Sequence, residues 1–274
     1  MSGSYTDAAG ALIDLVAQAT VYDLGRPMQN GMAQSPNHPQ FHHCLDRLHG
    51  DRMRPDGGSA AADLLTTGCH VGTHVDALAH VSHHGQLFGG VDAAEAQAGG
   101  SFAVLGINEL PPFVGRGVLL DVPGLLGTDV CNGGYEVTVA ELEAVVARQD
   151  SPIQAGDAVL VRSGWGAHFD DPERYHGKDS GVPGVGEAGA RWLADQGAAL
   201  VGADTLAFEC IPAGQGHALL PAHRVLLVER GVNIIEAMDL DGLAAGGIYQ
   251  FVFVLSHLNI YGATGAPVRP LALA

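Results

Sequence analysis

The chain has 274 residues, of which 47% are hydrophobic and 16% charged, and its formal net charge is −17. This composition excludes intrinsic disorder and allows a substantial buried core. Nucleic acids and anionic membranes are bound through basic patches, so such an acidic chain is expected to bind neither.

Location in the cell is predicted from the amino terminus and the cysteines. The first twenty residues lack a basic segment, and Asp14 and Gln18 interrupt their apolar stretch, so we predict no signal peptide. No apolar run approaches the roughly 20 residues of a membrane-spanning helix. Four cysteines lie far apart without a CxxC pair, which favours free thiols in a reducing cytoplasm.

The first 110 residues are predicted to be mostly irregular. Residues 8–18 have a helical pattern, and VYDLG (21–25) is typical of a strand. Residues 26–40 contain three prolines and a glycine, and residues 45–62 continue irregular and polar. We therefore expect an irregular amino-terminal arm over about 26–62, within a single domain that covers residues 1–274.

From about residue 115 onward, strands and helices are predicted to alternate, which indicates an α/β fold. A capping-box pattern, Thr138 to Glu141, starts one helix, and Pro183 is expected to start another that ends near Gln196. A third helix is predicted at 220–231. The predicted strands are 115–122, 157–165, 198–204, 232–236 and 249–262.

A cluster of five histidines and one aspartate occupies residues 70–84, HVGTHVDALAHVSHH. Among them, His70, His74 and Asp76 form an H-x3-H-x-D pattern, a donor set suited to Zn²⁺ or Mn²⁺. Gly72 and Thr73 disfavour a helix, so a turn is expected there. The alternative is a solvated histidine run, but buried imidazole and carboxylate groups need partners, which a metal would supply.

The later histidines of the cluster are expected to have other roles. If residues 76–84 were helical, His80 would stand beside the metal without binding it, where a general base would sit. His83 and His84 precede a turn at Gly85 and are interpreted as solvated residues at a pocket rim.

A second pair of candidate ligands lies far downstream. His223 falls in the predicted helix 220–231, and Glu236 closes the strand VNIIE, so the chain can fold back and bring both to one site. An exposed strand end explains Glu236 equally well. His217 and His257 are interpreted as structural. A nucleophile elbow, a P-loop and a dinucleotide-binding glycine motif are all absent from the sequence.

HVGTHVDALAH resembles the HxGTHxDxxxH motif of the cyclase family of metal-dependent hydrolases, which includes bacterial kynurenine formamidase and isatin hydrolase. VYDLGRPMQNGM, DAVLVRSGW and LPAHRVLLVERGVNIIE resemble other family segments, so the resemblance extends along most of the chain. Ala79 stands where many members have proline. The chain length is closer to the isatin-hydrolase-like branch than to the compact formamidases.

The resemblance implies a role for each matching residue. His70, His74 and Asp76 would hold a first metal, and His80 would be the general acid and base. Asp76 would bridge to a second metal on His223 and Glu236 in formamidase-like members, whereas isatin-hydrolase-like members would hold one manganese. The implied fold is a swivelling β/β/α architecture, a curved mixed sheet flanked by helices, assembled as a homodimer or homotetramer.

The predicted function is hydrolysis of the C–N bond of a small amide, lactam or N-formyl compound by metal-activated water, with one or two Mn²⁺ or Zn²⁺ ions per chain. Phe41, Phe88 and Trp165 are candidates for packing against an aromatic substrate, with a core position as the alternative for each. Two other functions fit the same residues: a lyase, isomerase or cyclase, and a metal-binding protein without catalysis.

Overall fold

The structure of the protein is a computed structural model and describes residues 7–274. Within that range, no helix has both the length and the apolar character that crossing a membrane requires.

A nine-stranded sheet dominates the fold, with the strand order β1-β13-β11-β5-β7-β9-β10-β4-β12. Neighbours from β5 through β7 and β9 to β10 are parallel, and the remaining pairs are antiparallel. The strands of this sheet are β1 Val21–Asp23, β4 His74–Asp76, β5 Phe113–Asp121, β7 Ala158–Arg162, β9 Leu200–Ala203, β10 Asn233–Glu236, β11 Gln250–Leu255, β12 Gly265–Pro267 and β13 Leu271–Leu273.

Two apolar cores cover the two faces of this sheet. Along β5, Val118 and Leu120 face one core while Leu119 faces the other, as the two-residue period of a strand requires. The core around Leu119 contains both Ala272 of β13, which is second in the strand order, and Ala266 of β12, which is last. Strands from opposite ends of the order therefore pack into one core. The sheet is therefore strongly curled, and the prediction of a curved mixed sheet flanked by helices is confirmed.

Helices pack mainly against the Val118 core, to which α4, α6 and α7 contribute side chains. The helix α4 begins with the predicted capping box, because Thr138 and Glu141 bond reciprocally. The helices are α1 Asp7–Gln18, α2 Ala93–Ala96, α3 Val122–Leu126, α4 Val139–Gln149, α5 Pro172–His176, α6 Glu187–Asp195, α7 Pro221–His223 continued by a π-helical segment Arg224–Arg230, and α8 Asp241–Ala245. Short 3₁₀ turns cover Phe88–Gly90, Ile107–Glu109, Trp165–His168 and Gly216–Ala218.

Three predicted elements differ in the structure. The expected helix start at Pro183 is instead a short strand, β8 Gly184–Val185, which pairs with β6 Glu136–Val137 before α6 begins. The arm is not wholly irregular, because β2 His42–Arg47 and β3 Ala62–Thr66 form an antiparallel hairpin. The last long strand ends at Leu255 rather than 262.

Candidate active site

Strands β4 and β10 place three polar side chains side by side. In their antiparallel register His74 lies opposite Glu236, and Asp76 lies two residues further along β4. Val75 and Ile235 face the core on the opposite side of the sheet, so His74, Asp76 and Glu236 share the face covered by α7. All three are at least 95% buried.

The turn before β4 positions His70 and orients His74. Gly72 has φ +68°, a left-handed conformation that favours glycine, and its carbonyl oxygen lies 2.8 Å from His74 Nδ1. His70 lies 2.7 Å from Asp76 through Nδ1 and 2.8 Å from Thr264 through Nε2. A Cβ at Gly265 would come within 2.7 Å of the His70 ring, so only glycine fits there. The predicted turn at 72–73 is present.

Glu209 fixes the third imidazole, that of His223 in α7. Its carboxylate accepts hydrogen bonds from the backbone N–H groups of Ala222 and His223, and lies 2.6 Å from His223 Nδ1. This leaves Nε2 of His223 directed at Glu236, 3.1 Å away, and at Asp76, 3.6 Å away. The chain thus folds back between 223 and 236 as predicted.

One of the two central carboxylates, that of Asp76, has an oxygen without a donor among the described residues. Asp76 Oδ2 is buried and has no hydrogen-bond partner within the described range. Burial raises the pKa of the Asp76 carboxyl, but the imidazoles of His80, His70 and His74 outweigh this and hold it below its usual range. Burial likewise opposes the ionisation of Glu236, yet contacts with His223 and His74 lower its pKa. Both groups are therefore anionic acceptors directed at a common point.

These residues form two overlapping donor groups, His70 with His74 and Asp76, and Asp76 with His223 and Glu236. Within each group the donor atoms all lie within 4.8 Å of one another. Each imidazole keeps one nitrogen for an outer partner and presents the other to the carboxylates, which is the usual arrangement of metal-binding histidines. The unpartnered Asp76 oxygen also fits a divalent cation, so the donor set suits one ion or a bridged pair.

His80 lies beside these groups on a turn, so residues 76–84 do not form the helix that was considered for them. Its backbone N–H donates to Ala77, and its ring centroid is 3.8 Å from that of His70 and 6.4 Å from that of His223. Burial lowers the pKa of His80 to about 4, and the Asp76 carboxylate only partly opposes this. The imidazole is therefore neutral at neutral pH and can accept a proton.

Other predicted residues lie further from the centre. His83 and His84 are exposed, and His83 lines a cavity with His217 and Arg224. Trp165 is a core residue whose indole N–H donates to the Tyr175 carbonyl.

The remaining candidates are Phe88, Phe41 and His257, and each lies in a different part of the fold. Phe88 packs against Gly231, and Phe41 is 8% exposed at the edge of a cavity in the arm. His257 lies 2.8 Å from the Leu110 carbonyl oxygen through Nε2, a structural contact.

Three residues near the site were missed by the sequence analysis: Glu209, Thr264 and His38. An acidic residue in the apolar stretch LAFECI was a usable signal for Glu209. Thr264 and His38 come from distant segments without a motif. His38 lies in the arm, with its ring centroid 5.0 Å from that of His70.

Comparisons with known proteins agree on one fold. A solved structure described as a novel cyclase is 29% identical, with a TM-score of 0.85 over 98% of this chain and 92% of that chain. Isatin hydrolase A from Ralstonia solanacearum is 20% identical, with a TM-score of 0.75 over 100% and 99%. Kynurenine formamidase from Bacillus cereus is 24% identical over 90% of this chain and 94% of its own length.

The sequence profile described as Cyclase matches residues 22–210, which is more than half of the chain. The matched range begins within β1, includes the arm and the histidine cluster with β4, and ends just after Glu209. The sequence resemblance and the curled sheet are thus confirmed together: this chain belongs to the Cyclase family.

Proposed function

We propose that the protein is a metal-dependent hydrolase that cleaves the C–N bond of a small aromatic amide, lactam or N-formyl compound. One observation carries the proposal: three imidazoles, each oriented by an outer partner, surround two buried carboxylates, and one of their oxygens has no partner. Relatives named kynurenine formamidase and isatin hydrolase support C–N hydrolysis.

His70, His74 and Asp76 would hold the first divalent ion, Mn²⁺ or Zn²⁺, and His223 and Glu236 would hold a second one with Asp76. A bound ion would act as a Lewis acid that polarises a carbonyl group and makes water more acidic. A similar structure titled as a predicted metal-dependent hydrolase supports this requirement.

His80 would serve as the general acid and base. Its imidazole, held neutral by burial and stacked on His70, would accept a proton from the attacking water and return it to the leaving nitrogen. Proton transfer of this kind contributes roughly 10²–10⁴-fold to the rate. Neither step needs a nucleophilic serine or cysteine.

The test is metal content and turnover on protein purified without chelator or metal-affinity tag. Wild type is expected to contain about one or two equivalents of manganese or zinc and to hydrolyse N-formyl aryl amines or isatin, with ¹⁸O from labelled water in the new carboxylate. His74→Ala should lose metal and activity. His80→Ala should keep the metal and lose about 10²–10⁴-fold in kcat.

His84→Ala is the matched control, because that histidine belongs to the same cluster but is exposed and outside both donor groups. Wild-type protein that neither contains nor takes up metal would overturn the metal site. Wild-type protein that binds the metal but incorporates no ¹⁸O from water into a carboxylate product would instead indicate a lyase, an isomerase or a binding protein.

A further inference from the structure

The side chain of Thr73 links β4 to β10 one residue beyond the point where their pairing ends. In that register His74 lies opposite Glu236 as the last pair. Thr73 and Ala237 are the next residues along the two segments, and the Thr73 hydroxyl donates to the Ala237 carbonyl oxygen at 2.8 Å. The Thr73 backbone carbonyl accepts from Val268 instead. A side chain therefore holds together the two segments that carry His74 and Glu236.

Ala237 has a backbone conformation that an alanine rarely adopts. Its φ is +52°, in the left-handed region, and it directly follows Glu236 at the end of β10. Such a conformation persists only where the surrounding structure imposes it, and it is common at functional sites. Here hydrogen bonds impose it, because the Ala237 N–H donates to the Thr205 carbonyl at 2.9 Å and the Ala237 carbonyl accepts from Thr73. The strand β10 thus ends at Glu236, where the backbone takes this conformation.

The Thr73 hydroxyl serves two backbone groups at once. Thr73 is 2% exposed, and its hydroxyl accepts from the Arg26 backbone N–H at 2.9 Å in addition to its bond to Ala237. Arg26 returns to the same turn through its side chain, since its Nε donates to the Met238 carbonyl at 3.2 Å. Loss of the hydroxyl would remove a partner from both the Arg26 N–H and the Ala237 carbonyl, which is costly for buried groups.

The contacts of the Glu236 carboxylate depend on where this turn places its backbone. Oε1 accepts from the Phe208 backbone N–H at 2.9 Å and lies 3.1 Å from Nε2 of His223. Oε2 lies 3.4 Å from Nε2 of His74, the residue that follows Thr73. A change in the backbone at Ala237 would therefore move the carboxylate relative to both imidazoles.

We propose that Thr73 is a positioning residue for the candidate metal centre: its hydroxyl holds Ala237 in the left-handed conformation and so fixes the separation of His74 and Glu236. The assignment rests on the metal site of the proposed function. Thr73 is not itself a ligand, because its hydroxyl is directed at the backbone groups of Arg26 and Ala237. It acts through His74 and Glu236, one from each donor group.

The experiment measures the affinity of the metal-free full chain for Mn²⁺ against a competing chelator. Thr73→Val, which keeps the shape of the side chain but not the hydroxyl, should bind Mn²⁺ about 10–100-fold more weakly than wild type, as is usual when an outer partner of metal ligands is lost. Thr73→Ser, which keeps the hydroxyl, should stay near wild type. If Thr73→Val does not fold, Thr73→Ala removes the same hydroxyl with a smaller side chain. Wild-type affinity in the variants without the hydroxyl would overturn the proposal.

Ala237→Gly separates the action of the hydroxyl on Ala237 from simple packing. Glycine adopts a φ of +52° readily, so it does not need the hydroxyl to hold this conformation. Alone, Ala237→Gly should bind Mn²⁺ as wild type does, and combined with Thr73→Val it should recover part of the lost affinity. A double variant that bound Mn²⁺ as weakly as Thr73→Val would show that the hydroxyl does not act through Ala237, against the proposal.

Ser151→Ala is the matched control for the loss of a buried hydroxyl. Ser151 is 1% exposed, and its hydroxyl also makes one contact of each kind: it accepts from the Gln250 side chain at 3.2 Å and donates to the Gln149 carbonyl at 3.1 Å. Gln250 lies on β11, and β5, β7 and β9 lie between that strand and β10. Ser151→Ala should therefore keep the wild-type affinity for Mn²⁺; a loss as large as that of Thr73→Val would contradict a specific role of Thr73.

Metal affinity and turnover keep the two proposals distinct. Weak Mn²⁺ binding in Thr73→Val, with recovery in Thr73→Ser, would support the role of Thr73 even if wild type hydrolysed no amide, which would count against the hydrolase alone. Amide hydrolysis by wild type together with unchanged Mn²⁺ affinity in Thr73→Val would count against Thr73 alone. Wild type that bound neither Mn²⁺ nor Zn²⁺ would overturn the metal site and this role with it.

Discussion

At the scale of single residues, Glu209 determines which nitrogen of His223 faces the centre. Its carboxylate holds Nδ1 at 2.6 Å and also accepts two backbone N–H groups at the start of α7. Outer partners of this kind orient metal-binding histidines and raise their basicity, and their loss commonly costs 10–100-fold in metal affinity. Glu209 is therefore a positioning residue.

Glu209→Gln should weaken metal binding by about 10–100-fold while the protein stays folded, because the amide oxygen can still accept from one of the two backbone N–H groups. Titration of the metal-free protein with Mn²⁺ against a competing chelator measures the affinity. Glu173→Gln is the control, since Glu173 is exposed in the short helix α5. Equal affinity in both variants would show that Glu209 only caps α7.

How far the sequence predicted the site depends on the kind of contact. His70, His74 and Asp76 are close in sequence, so their spacing alone suggested a common site, and His223 and Glu236 could be added by a chain reversal. Thr264 and His38 approach His70 only because the sheet curls and the arm folds over it. Neither residue belongs to a local pattern, so spacing could not identify it.

At the scale of elements, local chemistry predicted helix α4 better than helix α6. The Thr138 to Glu141 capping box is a short-range interaction, and the structure contains both of its hydrogen bonds. Pro183 is compatible with a helix start, but Gly184 and Val185 pair with β6 instead. The pairing buries Val185 completely, and α6 begins after Gly186. A tertiary contact therefore overrode the local preference.

Thr138→Ala should lower the free energy of unfolding by about 1 kcal/mol, because it removes the side-chain cap of α4. Urea denaturation at pH 7 measures the change. Thr66→Ala is a suitable comparison, since Thr66 is exposed on β3 and outside any cap. A loss no larger than that of Thr66→Ala would mean that packing alone holds the start of the helix.

The loss of unfolding free energy in Thr138→Ala should depend on pH. Burial opposes ionisation of Glu141, but hydrogen bonds from Tyr135 and Thr138 outweigh it and lower the pKa of the carboxyl. A lowered folded-state pKa stabilises the protein above the unfolded value of 4.5 and loses that effect as the pH falls through the folded value. The difference between wild type and Thr138→Ala should therefore shrink below pH 4.5.

At the scale of the whole molecule, the candidate site joins parts of the chain that are far apart. His70 precedes β4, His223 lies in α7 and Glu236 ends β10, and the curled sheet brings them onto one face. A cation bound to these residues would stabilise the folded chain, because the unfolded chain has no such site. Metal binding and global stability are thus linked.

Adding Mn²⁺ or Zn²⁺ to metal-free wild type at a hundred times its Kd should stabilise the fold by about 2.7 kcal/mol. For a chain of this size, that corresponds to a rise in Tm of roughly 5–10 °C, measured by calorimetry. His74→Ala should show little rise, because it removes a member of the first donor group. His43→Ala should keep the full rise, since His43 pairs with Asp63 on the exposed hairpin. A rise that disappeared in His43→Ala and persisted in His74→Ala would place the stabilising ion on the arm hairpin instead of at the two buried carboxylates.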